Sequence, residues 1–77
     1  MSPTLLNVNG YRFFFNSNEE ERKHVHVIKD GKKAKYWLEP VELADNKGFK
    51  DFELNEIKRL IEGNGNEFRE KWNKYFC

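Results

Sequence analysis

The sequence predicts an α+β domain in which an antiparallel sheet of two β-hairpins carries a C-terminal helix, or a broken helix, packed on one face. Three observations predict it. The dipeptides Asn9-Gly10 and Asp30-Gly31 each lie between β-rich segments, and Asx-Gly pairs tolerate the positive φ angles of a two-residue hairpin turn. From Asp51 onward the apolar residues change to helical spacing. At 77 residues the chain has room for one core, so the expectation is a single domain over residues 1–77.

In the first hairpin, residues 4–8 and 11–15 flank Asn9-Gly10. A two-residue loop pairs Val8 with Tyr11, Leu6 with Phe13 and Thr4 with Phe15, gathering Leu6, Val8, Tyr11, Phe13 and Phe15 on a core face. Leu5, Asn7, Arg12 and Phe14 fall on the opposite, mixed face, which is open either to cover or to a partner. Residues 16–21 are polar and read as a loop. In the second hairpin, residues 24–28 and 33–38 flank Asp30-Gly31, so Val27 faces Ala34 and Val25 faces Tyr36, with Leu38 extending the apolar side. The reverse face of that hairpin places His26 beside Lys35 and His24 beside Trp37.

Pro40 is expected to end the second hairpin, and residues 41–48 read as an extended connector that closes in a turn at Asn46, Lys47 and Gly48, with room for a short edge strand at 41–43. Beyond it Leu54, Ile57, Leu60, Ile61, Phe68, Trp72, Tyr75 and Phe76 recur at helical spacing, and Asp51 or Glu53 suits the helix N-terminus. Gly63-Asn64-Gly65-Asn66 interrupts this stripe, since two glycines cost about 2 kcal/mol relative to alanine inside a helix. The apolar phase nevertheless continues from Ile61 to Phe68, which predicts two helices or one bent helix.

Charge is balanced, with 14 Lys and Arg against 13 Asp and Glu, so any attraction to a polyanion has to be local. The single Cys77 excludes an intramolecular disulfide, and the start of the chain lacks the basic and apolar regions of a signal peptide. No apolar run approaches the roughly 20 residues that span a bilayer. The expectation is a cytoplasmic protein without a membrane partner.

Three chemistries compete for the second hairpin. His24 and His26, at i and i+2 on a strand, point to one face about 7 Å apart, a spacing that suits shared metal ligation or an acid and base pair. A metal site needs three or four ligands, and no motif supplies them, so neither metal nor cofactor is expected. As acid and base, His24 and His26 beside Arg22, Lys33 or Lys35 make the minimal kit for metal-independent RNA cleavage. Solvated strand histidines are the plainer alternative.

The third chemistry is binding. Arg22, Lys23, Lys29, Lys32, Lys33 and Lys35 cluster against one acid, Asp30, and Tyr36 and Trp37 add aromatic area. The same lysines also suit a solvated hairpin that resists edge-to-edge pairing, and Glu19, Glu20 and Glu21 lie close in sequence. Trp37 on the non-core face is either covered by the connector or presented to a partner. Arg22, Lys33, Lys35 and Trp37 are the candidate binding residues, and His24 and His26 the candidate catalytic ones.

The strand His24-Val25-His26-Val27, the segment from Ala34 through Lys35-Tyr36-Trp37-Leu38-Glu39-Pro40 to Val41, the pair Gly48-Phe49 and the closing stretch from Trp72 to Phe76 resemble a family of short prokaryotic proteins known as a domain of unknown function. The resemblance runs from the first hairpin to the end of the chain. Two departures stand out: residues 19–23 replace a proline-containing approach to the histidines, and the Gly-Asn pairs replace better helix formers. Members are often described as toxin–antitoxin components whose genes sit beside another small protein. The resemblance therefore implies a small component of a toxin–antitoxin-like two-protein module. Such a component would act by binding a small protein partner or RNA through the second hairpin. The alternative is an RNase-like enzyme using His24 and His26.

Overall fold

The computed structural model describes residues 4–15 and 22–76; the segment 16–21, read as a loop, and Cys77 lie outside the described residues, as does the side chain of Phe76. Both Asx-Gly turns form. Asn9 and Gly10 have φ of 52° and 83°, and Asp30 and Gly31 have φ of 50° and 79°, the pair of positive values that a type I′ turn requires. The strands run in the order β1 (Thr4–Val8), β2 (Tyr11–Phe14), β3 (His24–Lys29), β4 (Lys32–Leu38) and β5 (Val41–Lys47), followed by α1 (Asp51–Gly63) and α2 (Gly65–Phe76). Strand order in the sheet follows chain order, and each neighbouring pair is antiparallel.

The sheet has a fifth strand over Val41–Lys47, where the sequence suggests an extended connector with a short edge strand at 41–43. Asp, Asn and Ala are poor strand formers, yet the otherwise open edge of β4 supplies hydrogen-bonding partners all the way from Val41, opposite Leu38, to Lys47, opposite Lys33. Pro40 sits in the turn between these strands, where its missing N–H costs no ladder bond. A register shift also corrects the first hairpin: Val8 pairs with Tyr11 and Leu6 with Phe13 as expected, but Thr4 pairs with Phe14 rather than Phe15. Leu5 is the extra residue of this irregularity, and it brings Thr4 Oγ1 to 2.9 Å from the Arg12 Nε–H that donates to it.

Period-two alternation divides the sheet into two faces. Tyr11, Phe13 and Phe15, with Val25, Val27, Ala34, Tyr36 and Leu38, are buried against Ile57 and Ile61 of α1 and Phe68 and Trp72 of α2. Burying each large side chain contributes about 1.5–3 kcal/mol, and ring contacts such as Phe15 edge-on to Trp72 at 5.2 Å knit the layers. The helical stripe is narrower than its spacing suggested. Leu54 and Leu60 are partly buried, and Tyr75 is 39% exposed because it lies at the rim, 6.2 Å from Phe15.

Entry to α1 is organised by side chains. Asn46 clasps Phe49, its Oδ1 accepting from the Phe49 N–H at 3.0 Å and its Nδ2 donating to the Phe49 carbonyl at 3.1 Å. Phe49 is thereby buried beside Tyr11. Gly48 has φ of 107°, and a Cβ there would stand 2.9 Å from Lys32 Cγ, so both the backbone and the space require glycine. The Glu53 carboxylate accepts from the Lys50 N–H at 3.0 Å and from Lys32 Nζ at 2.7 Å, satisfying one orphan donor of the helix start.

At the Gly-Asn interruption the helices are separated by Asn64 alone. Its side-chain Nδ2 donates to the Leu60 carbonyl at 2.8 Å, while its own carbonyl accepts from the Phe68 N–H at 3.0 Å. Helical hydrogen bonding thus resumes immediately after the break, which preserves the phase from Ile61 to Phe68. No helix among the described residues is long and apolar enough to cross a membrane.

Candidate functional site

The candidate site is the sheet face opposite the helices. Pairing of β2 with β3, through Arg12 with Ile28 and Phe14 with His26, joins the two hairpins into one surface. Combined with the β3–β4 and β4–β5 registers, it makes two rows across four strands. One row runs Arg12, Ile28, Lys33, Lys47; the next runs Phe14, His26, Lys35, Asp45. A third, shorter row holds His24, Trp37 and Glu42.

Cations and rings alternate along these rows. Phe14 and His26 stack at 5.5 Å with 22° between their planes, and the Arg12 guanidinium lies over Phe14 at 5.3 Å. Trp37 has the Arg22 guanidinium at 4.3 Å and Lys35 Nζ at 4.7 Å from its ring. Such contacts are worth about 0.5–1 kcal/mol each when exposed, enough to bias long side chains toward an ordered arrangement. Arg22 also reaches Glu42 at 3.6 Å. A groove of about 750 Å³ crosses the face, bordered by Arg12, Phe14, His26, Ile28, Lys33 and Lys35.

The structure sorts the linear basic run by face. Arg22, Lys33 and Lys35 reach the open side. Lys29 and Lys32 turn to the helix side, where Lys29 lies 4.5 Å from the Tyr11 ring and Lys32 pairs with Glu53. Lys23 pairs with Glu39 at 3.2 Å. In their place the open face gains Arg12, Phe14, Ile28 and Lys47 from outside the basic run or its predicted role. Alternation in the first hairpin had already put Arg12 and Phe14 on a mixed face; the β2–β3 pairing that merges this face with the second hairpin was the missing piece.

His24 departs most from the sequence reading. Its register opposite Trp37 is as expected, but the residue is 0% exposed, so it is not a solvated strand histidine. Its ring lies 5.8 Å from Trp37, 5.0 Å from Trp72 and 5.2 Å from His26. Nδ1 stands 2.7 Å from the Arg22 carbonyl oxygen. A carbonyl only accepts, so Nδ1 carries the proton. His26 is half-buried and borders the groove. Trp37 is also half-buried, with Arg22, Lys35 and His24 against its ring.

Positive charge is in local excess on the open face. Among the described residues, Arg12, Arg22, Lys33, Lys35 and Lys47 outweigh Glu42 and Asp45 on the open side, although the whole chain has a net charge of only +1. On the helices, exposed acids such as Glu62, Glu67 and Glu70 are offset by exposed Lys58, Arg59 and Lys74. A local positive field of this kind attracts anions irrespective of the chain total. Among the described residues, no group of three or more His, Cys, Asp or Glu side chains is arranged to hold a metal ion.

Residues 10–73 match a family model described as a domain of unknown function (DUF4160). No curated protein and no solved structure matches the chain.

Proposed function

We propose that this chain, which belongs to the family described as a domain of unknown function (DUF4160), binds single-stranded RNA through its open sheet face, as the small component of a prokaryotic toxin–antitoxin-like two-protein module. Support for the module comes from the family resemblance. Support for RNA comes from one observation, the interleaving of Arg12, Lys33, Lys35 and Arg22 with Phe14, His26 and Trp37 across β2, β3 and β4. Cations that neutralise phosphates, set among aromatic and apolar side chains that accept bases, are the two components of single-strand binding. Lys33 and Lys35, at i and i+2 on β4, are about 7 Å apart along the strand, a repeat that an extended sugar-phosphate chain can follow.

The acid and base alternative is less well supported. His24 is buried between two indoles and hydrogen-bonded to backbone, which leaves His26 as the histidine bordering the groove.

Fluorescence anisotropy with a labelled, unstructured RNA oligonucleotide tests the proposal. Affinity is expected to fall as salt rises, with a logarithmic slope of about −0.7 for each phosphate contacted. The K33E/K35E double variant should lose more than about tenfold in affinity and flatten that slope. Equal affinity in wild type and variant would overturn the assignment. So would binding of polyglutamate but of no RNA, which would give the face to an acidic protein segment.

A further inference from the structure

We infer that the groove beside Ile28 is a subsite for one unpaired nucleotide, whose base lies on Ile28 and whose phosphate is held between Lys33 and Lys47. This rests on the RNA reading above and names the unit that the face takes. The groove volume of about 750 Å³ falls within the roughly 300–1,000 Å³ of small-molecule sites.

Ile28 is the unusual residue here: a half-buried aliphatic side chain on the charged face, not the core face. Its register partners are Arg12 on β2 and Lys33 on β4, with Lys47 next beyond Lys33 on β5. An apolar floor between rims that are mainly cationic, with Asp30 and Asp45 the acids among the lining, matches the two halves of a nucleotide, a flat weakly hydrated base and a phosphate. Neither Lys33 nor Lys47 is engaged in an ion pair among the described residues, so both ammonium groups can turn to an incoming anion without breaking one.

The rings nearby are less suited to receive the first base. Phe14 lies between Arg12 and His26, and Trp37 has Arg22 and Lys35 against it. A base stacking on either ring competes with a cation already in contact with it, whereas Ile28 offers an aliphatic floor. A phosphate bound by the lysines alone would gain charge neutralisation but leave the floor unused, so the base distinguishes this subsite from a generic anion site.

The test is NMR titration of the full chain with uridine 5′-monophosphate, uridine and inorganic phosphate, with RNA oligonucleotide binding measured in parallel. The nucleotide is expected to shift the Ile28 methyl and Lys33 amide signals and to bind more than about tenfold tighter than phosphate. Ile28→Thr keeps a β-branched strand residue and should weaken the nucleotide about fivefold while leaving phosphate unchanged. Phosphate binding as tightly as the nucleotide, or shifts that map elsewhere, would overturn the subsite. If the oligonucleotide binds through Lys33 and Lys35 while the mononucleotide leaves Ile28 unmoved, the subsite fails and the RNA reading survives. If neither binds, both fall.

Discussion

His24 donates its Nδ1 proton to the carbonyl oxygen of Arg22 at 2.7 Å, and the Arg22 guanidinium lies 4.3 Å from the Trp37 ring. A buried imidazole thus anchors the backbone of the residue that extends across the open face. Since Trp72 of α2 closes over the same imidazole at 5.0 Å, the helix layer and the open face meet at His24. Its role in the fold is to couple the two.

Replacing His24 by alanine is expected to cost about 2–4 kcal/mol, from the cavity left between Trp37 and Trp72 and the loss of the bond to Arg22. For a domain of this size that corresponds to a fall in Tm of roughly 10–25 °C, readable by circular dichroism. His26→Ala, at a half-buried groove position, should cost less than about 1 kcal/mol. Similar losses in the two variants would refute the structural role of His24.

Trp37 orders Arg22 and Lys35 through its ring. Trp37→Ala should weaken RNA binding about three- to tenfold while the salt slope persists, because the cations remain but are less well placed. Trp37→Phe should restore much of the loss. Anisotropy across a salt series separates this from charge removal, which lowers affinity and slope together.

Acid sensitivity centres on Glu53. The hydrogen bond from Lys32, then that from the Lys50 N–H, lowers its carboxyl pKa from the usual 4.5. A carboxyl whose folded pKa is depressed contributes stability that is present above the unfolded value and lost as pH falls through the folded one. Glu53→Gln should therefore make the acid limb shallower below pH 4.5. A denaturation series in which the variant and wild type keep parallel limbs would dismiss this contribution.

Two tyrosines set the alkaline limit. Burial first, then the hydrogen bond to Glu56 and its negative charge, pushes Tyr11 up from 10.0 to about 12. Burial does the same to Tyr36, also to about 12, where the hydroxyl donates to the Leu54 carbonyl at 2.9 Å. Their folded pKa values exceed the unfolded one, so the associated stability is complete below pH 10 and is lost as pH rises toward 12. Phenolate absorbance from these residues should appear together with loss of near-ultraviolet circular dichroism. Tyr36→Phe should shift the alkaline midpoint upward relative to its own neutral-pH stability.

Much of the site was legible in the chain because it depends on short-range rules. Asp30-Gly31 set a register in which His26 meets Lys35 and His24 meets Trp37, and alternation placed Arg12 and Phe14 together on a second face. The basic run was misleading for the same reason it was visible: neighbours in sequence point to opposite faces of a strand, so Lys32 pairs with Glu53 while Lys33 lies beside Ile28 on the open face. Val41–Lys47 lacked strand character, and its pairing came from the edge that β4 offered.

By itself, then, the sequence determined the two type I′ turns, the alternation of each hairpin, the helical stripe and the break near Asn64, all consequences of backbone sterics and periodicities that act within a few residues. Tertiary structure decided the rest. Pairing of Phe14 with His26 fused two half-faces into one surface, and α2 brought Trp72 over His24, turning an anticipated surface histidine into a buried one. Those outcomes depend on which edges and faces meet after the chain folds back on itself, because the free energy of burying them belongs to surfaces that are far apart in sequence.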